Sequence, residues 1–189
     1  MGAGINPHFF YSKVEKYNDV NVMGTAHLLD LLANSNHTIQ KMIVASSRAI
    51  YGEGKYKCKY HGEQYPGQRG EIDMEQSMYN PRCVSCNSEL DLVATDEKSK
   101  IHPSSIYGIN KQQQEQMILL MGESLGIPSV AFRYQNVYGP GQQLYRIVPK
   151  AILSLKLNRK LKLDGGGKSK RSFIYISDVC KATYELCKK

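Results

Sequence analysis

Two short apolar runs, Lys41-Met42-Ile43-Val44-Ala45-Ser46-Ser47 and Ser129-Val130-Ala131-Phe132-Arg133-Tyr134, constrain this chain more than any other feature. Each is too short for a stable helix and each reads as a buried strand. Ahead of the second run, residues 105–125 carry Ile106, Ile109, Met117, Leu119, Leu120 and Leu125 in a helical pattern, closed by Gly126 and Pro128. Ahead of the first, residues 11–34 repeat the helical pattern with Val14, Val20, Val22, Leu28, Leu29, Leu31 and Leu32. Strands alternating with helices predict an α/β fold with a parallel sheet. The alternation continues: a helix over 148–160, a short strand over 161–163, a strand at Phe173-Ile174-Tyr175-Ile176, and a last helix from Asp178 through Leu186.

A chain of 189 residues with 41% apolar side chains can bury one sizeable core. No apolar run approaches the roughly 20 residues that cross a bilayer, so no membrane partner is expected. The start, Met1-Gly2-Ala3-Gly4-Ile5-Asn6-Pro7, has neither the basic nor the apolar part of a secretion signal, which makes a cytoplasmic protein the expectation. The net charge of +8 is confined to one end. Residues 1–149 carry 14 basic and 14 acidic side chains, and residues 150–189 carry 11 and 3. A solvated lysine-rich surface is the plain reading, and an anion site for a phosphorylated substrate the functional one. Nucleic-acid binding ranks third, because no aromatic interleaving accompanies the charge.

Between Tyr51 and about Thr95 the periodicity disappears, over a stretch too long for a simple loop. This segment, taken as residues 52–95, contains Cys58-Lys59-Tyr60-His61 and Cys83-Val84-Ser85-Cys86. Three thiolates and an imidazole at those spacings suit a tetrahedral structural zinc knuckle, which would order a segment without a core of its own. An unstructured insert with incidental cysteines is the alternative. Cys180 and Cys187, seven apart on the last helix, are expected to pack as small apolar residues.

Tyr107 and Lys111 lie four apart on the 105–125 helix and so share a face. An ammonium there can stabilise a phenolate, and the phenol can then exchange a proton with a substrate hydroxyl. Alone, the spacing describes a solvated pair equally well. Ser47 ends the first strand, where parallel sheets present ligand sites, although a serine there can simply cap the turn.

These residues stand in an order that carries more than their sum. Val20-Asn21-Val22-Met23-Gly24-Thr25 comes first, then Ser46-Ser47-Arg48-Ala49-Ile50-Tyr51-Gly52 and the Tyr107/Lys111 pair. Arg133-Tyr134-Gln135-Asn136-Val137-Tyr138-Gly139-Pro140-Gly141 and the segment from Gly165 through Arg171 to Val179 complete the series. Together they resemble the extended short-chain dehydrogenase/reductase family, in particular the NAD-dependent epimerases and dehydratases of nucleotide sugars.

The resemblance implies a Rossmann-like doubly wound parallel sheet, with residues 1–189 as the catalytic core, and a nucleotide-sugar substrate. It makes Tyr107 the acid/base and Lys111 the holder of the NAD ribose, with Tyr134 also at the cofactor. It makes Ser47 the ligand of the substrate hydroxyl, and Asn136 and Arg171 the contacts to the diphosphate. Apart from the resemblance, Asn136 reads as a turn amide and Arg171 as one cation of a basic stretch. Members that dehydrate the sugar have Thr-Asp-Glu where this chain has Ser47-Arg48-Ala49, so epimerisation at C4 through a keto sugar is the expected reaction. The family's homodimer uses the Tyr/Lys helix, where Met117, Leu120 and Met121 supply apolar surface.

Two departures qualify the expectation. The first strands and the glycine-rich pyrophosphate turn have no counterpart, Gly2-Ala3-Gly4 aligning instead after the fourth strand. Ser172 stands where the family usually has Asp. The chain is therefore expected to hold NAD weakly alone and to need a complementing amino-terminal fragment. The alternative is a non-catalytic binding or assembly fragment that keeps the sugar-nucleotide surface. The insert resembles one in a subset of nucleotide-sugar epimerases, through Tyr65-Pro66-Gly67-Gln68-Arg69 and Pro81-Arg82-Cys83.

Overall fold

A computed structural model describes residues 14–163, 167 and 170–188. Gly2-Ala3-Gly4 and most of the Gly165–Ser169 stretch lie outside the described residues. The chain divides into two compact units, meeting between Tyr134 and Gln135.

In the first unit, α1 (Val14–Tyr17) passes through a π-helical turn, Asn18–Met23, into α2 (Gly24–Ala33). Strand β1 (Met42–Ser47) is followed by a 3₁₀ turn, Arg48–Tyr51. The long helix α4 (Ile106–Leu125) leads to β5 (Ser129–Tyr134). These two strands pair in parallel from Met42 opposite Ser129 to Ser47 opposite Tyr134, as the alternation predicts. Leu29, Leu32, Met42, Val44, Ile118 and Ile127 form the buried core, with Met117, Met121, Leu125 and Ala131 packed on it. Each such buried side chain contributes about 1.5–3 kcal/mol. Met117 and Met121 therefore serve the core rather than a free surface, while Leu120 is exposed.

Helix α4 starts at Ser105, whose hydroxyl accepts from the Gly108 amide at 3.0 Å. It ends at Gly126, whose φ of 66° is the left-handed conformation glycine adopts at helix ends.

The insert is folded. Strand β2 (Tyr56–Cys58) lies between β3 (Gly62–Gln64) and β4 (Asp91–Leu92) in an antiparallel sheet. A one-turn helix, α3 (Glu71–Glu75), interrupts the long excursion between β3 and β4. Its small core is Tyr56, Cys58, Cys83 and Leu90. Helical or strand period cannot reveal such an element, because cysteines replace the usual apolar residues.

In the second unit, β6 (Asn136–Tyr138) pairs in parallel with β7 (Phe173–Tyr175), and α5 (Ile147–Lys156) and α6 (Ile176–Lys188) accompany them. Residues 161–163, expected as a strand, are irregular. Three residues without a paired neighbour cannot satisfy a ladder. Cys180 and Cys187 are exposed instead of packed, since α6 turns them away from its half-buried Val179, Thr183 and Leu186.

Candidate active site and Cys/His cluster

The carboxyl end of β1 carries Ser47 and is reached by Lys111. Ser47 is the last residue of the strand, opposite Tyr134, and its hydroxyl accepts from the Ala49 amide at 3.1 Å. The 3₁₀ turn that follows is capped in this way, which is the plain role the sequence offered for Ser47. Lys111 reaches from α4 to the same edge, donating to the Ala45 carbonyl at 3.0 Å. Its ammonium stands 6.0 Å from the centroid of the Tyr107 ring. Half-burial of Lys111 lowers its pKa from the usual lysine range. Tyr107 packs edge-on against Tyr17 at 6.4 Å. Tyr134 stacks on Phe132 at 5.3 Å between ring centroids.

Gly108, beside Tyr107, is where α4 crosses the 3₁₀ turn after Ser47. A Cβ there would stand 2.7 Å from the Ala49 carbonyl oxygen and 3.0 Å from Pro103. Only glycine lets the helix carrying Tyr107 come this close to the strand end carrying Ser47.

Asn136 and Arg171 belong to the second unit. The Asn136 amide donates to the Ser172 carbonyl at 2.9 Å, next to Arg171. Arg171 donates to the Lys170 carbonyl at 3.1 Å. Both residues thus lie at the start of the β6/β7 pair.

Sequence reasoning missed the groups that buttress this site. The Arg133 guanidinium on β5 donates to Glu115 through Nε at 3.1 and 3.2 Å and through Nη2 at 2.6 Å. It also donates through Nη1 to the Tyr51 hydroxyl and to the Glu97 carbonyl. Glu115 is buried, and it holds the guanidinium well above its ordinary pKa. Glu115 follows Lys111 by four residues and so repeats the Tyr107–Lys111 spacing, which is the one signal the sequence offered. Asn110, also buried, donates to Asn18 of the π-helical turn at 3.0 Å.

A second cluster lies in the insert. Donor atoms of Cys58, His61, Cys83 and Cys86 all lie within 4.8 Å of one another. Burial pushes the Cys58 thiol up, but hydrogen bonds from Ser88, the Tyr60 amide and His61 outweigh it and bring it to about 5.

Residues 83–189 match the family model of the NAD dependent epimerase/dehydratase family, more than half of the chain. The chain belongs to that family. It is 33% identical over 168 residues to a dTDP-L-rhamnose 4-epimerase of Burkholderia thailandensis, covering 86% of this chain and 45% of the relative. It is 28% identical over 167 residues to a dTDP-D-glucose 4,6-dehydratase of Dictyostelium discoideum, covering 88% and 32%. Among solved structures, a UDP-glucuronic acid 4-epimerase from Bacillus cereus, in complex with UDP-glucuronic acid and NAD, superposes with a TM-score of 0.63. That match, at 23% identity, covers 92% of this chain and 43% of the other and establishes the Rossmann-like α/β fold. The chain spans less than half the length of these relatives.

Proposed function

We propose that this chain carries the proton-transfer site of an NAD-dependent nucleotide-sugar 4-epimerase. The supporting observations are Lys111 fastened to Ala45 on the strand that Ser47 ends, its ammonium 6.0 Å from the centroid of the Tyr107 ring, and the close crossing of Gly108 over Ala49. The named relatives supply the substrate class.

The residues present fit the nicotinamide-ribose end of NAD. Lys111 brings a half-buried ammonium to the sheet edge where α/β folds bind ligands, and gives one of its three N–H donors to Ala45. When bound, NAD supplies the acceptor and donor of hydride at the sugar C4. Ser47 holds the C4 hydroxyl. Tyr107 accepts the hydroxyl proton as the C4 carbonyl forms, and returns it when the carbonyl is reduced on its other face. Lys111 stabilises the phenolate between those two events. Asn136 and Arg171 would hold the diphosphate, Arg171 with the paired N–H geometry that suits phosphate oxygens.

Dehydration needs an acid to protonate the departing hydroxyl. At the corresponding positions stand Arg48, whose guanidinium donates to the Gly52 carbonyl at 2.9 Å, and Ala49. This favours epimerisation despite the dehydratase relative. A complementing amino-terminal segment that holds the pyrophosphate end of NAD belongs to the proposal. A homodimer through α2 and α4, where Leu28, Leu31 and Leu120 are exposed, a cytoplasmic site and a structural zinc in the insert complete it. No helix among the described residues is long and apolar enough to cross a membrane.

The test is interconversion of the C4 epimers of dTDP- and UDP-hexoses at saturating NAD, followed by proton NMR. Tyr107→Phe should lower the rate by roughly 10²–10⁴-fold. A variant as active as the parent would remove Tyr107 from the chemistry.

A further inference from the structure

The insert leaves the chain immediately after the turn that follows Ser47 and returns ahead of the helix that carries Tyr107, with residues 96–105 between. Its far end holds the Cys/His cluster, and the geometry there is specific. A tetrahedral zinc, with Zn–S of about 2.3 Å and Zn–N of about 2.05 Å, requires S···S near 3.8 Å and S···N near 3.6 Å. Cys58 Sγ lies 3.7 Å from Cys86 Sγ and 3.6 Å from His61 Nδ1, and Cys83 Sγ lies 3.6 Å from the same nitrogen. A disulfide would need about 2.05 Å, and all these cysteines are free.

Both ligand pairs sit on the same local backbone. Gly62, directly after His61, has φ 70°, and Asn87, directly after Cys86, has φ 56°. Left-handed residues at these two points close tight hairpins, with Cys58 opposite Gly62 and the Cys83 amide donating to the Ser88 carbonyl at 2.8 Å. Such turns aim backbone and hydroxyl donors at the sulfurs. The Tyr60 amide reaches Cys58 Sγ at 3.5 Å, and Ser88 Oγ lies 3.0 Å from Cys86 Sγ. Donors of this kind stabilise coordinated thiolates.

The near end of the insert is locked to the segments that bear the catalytic residues. The segment after the insert is tied to the turn after Ser47 by the His102 amide, which donates to the Ile50 carbonyl at 3.0 Å, and within the insert Arg69 pairs with Glu53 at 3.1 Å. Tyr65 packs edge-on against His102 at 5.5 Å, and Gln68 donates to the carbonyl of Ser104, the residue before the α4 cap.

We propose that Cys58, His61, Cys83 and Cys86 bind one Zn²⁺ in a closed structural site, and that the metal-held insert braces the start of α4 against the strand end carrying Ser47. Four protein ligands leave no open position, so the ion folds the insert and takes no part in the reaction. The zinc deepens the reading given above, whereas its test depends on neither NAD nor a sugar.

The full chain, purified and dialysed against metal-free buffer, should retain about one zinc per chain by elemental analysis. Replacement by Co²⁺ should give the thiolate charge-transfer bands and intense d–d bands of a tetrahedral sulfur-rich site. A chain free of zinc that also refuses added Zn²⁺, or an octahedral cobalt spectrum, would overturn the site. Cys83→Ser should lower bound zinc well below one; unchanged content would also overturn it. The brace is read in the parent protein by hydrogen exchange. Chelation should strip protection from the insert and from the Ile109 and Asn110 amides in the first turns of α4. Removal of zinc without any change at those amides would refute the brace.

Discussion

Truncating Glu115 to alanine isolates the buttress behind the candidate site. Three Arg133–Glu115 hydrogen bonds tie α4 to β5, with the side chains only 22% and 6% exposed. Removing the carboxylate leaves a guanidinium largely out of water, at a cost of about 3–5 kcal/mol. Acceptors remain at Tyr51 and Glu97, and Arg133 keeps some solvent, so the lower end applies: about 3 kcal/mol. With a urea slope of about 2 kcal/mol per molar, the unfolding midpoint should fall by about 1.5 M. Tyrosine fluorescence reports it, since the chain has 13 Tyr and no Trp. The double change Glu115→Leu with Arg133→Met removes both charges at similar volume and should recover more than half of the loss. A midpoint within about 0.5 M of the parent for Glu115→Ala, at unchanged slope, would show that the pair does not support the fold.

Other outcomes follow from single contacts. Gly122→Ala would place a Cβ 2.7 Å from Ser129 Cβ and 2.8 Å from the Ile127 carbonyl, where α4 turns into β5. It should cost about 1–3 kcal/mol by chemical denaturation, and a neutral result would mean the turn can shift freely. Ser105→Ala removes the α4 cap and should cost about 1 kcal/mol in the same assay. Asp96 is held below the usual carboxylate range, first by its hydrogen bond from Ser99 at 2.8 Å and further by Lys55. Because the folded value is lowered, its contribution is complete above about pH 3.9 and fades as pH falls through the lowered value. Ser99→Ala should flatten that part of the acid-unfolding profile. An unchanged profile would remove Ser99 as the cause.

The sheet and the Tyr107 helix were legible because period is a property of sequence. Met42–Ser47 and Ser129–Tyr134 emerge within a residue of their expected limits, and Ser105 and Gly126 mark the ends of α4 by their chemistry. Other features depend on what the chain meets in space. Met117 and Met121 are apolar in either setting, and only the position of β1 decides that they face the core. Glu115 shows its register with Lys111, but its partner on β5 lies 18 residues away in sequence. The cluster of Cys58, His61, Cys83 and Cys86 was readable as two spaced pairs. The β2–β3–β4 sheet that joins them was not, since its strands are two or three residues long. Asn136 was read as a diphosphate ligand or a turn amide, and its contact with Ser172 became visible only with β6 and β7 paired.

The most direct measurement of the proposed chemistry follows deuterium placed at C4 of a nucleotide hexose that the protein accepts. If Ser47, Tyr107 and Lys111 serve inversion by hydride removal and return at C4, the epimeric product keeps the label at C4 by NMR, with none lost to water. Product that has exchanged its C4 label with solvent, or no inversion with NAD and the complementing segment supplied, would contradict the account.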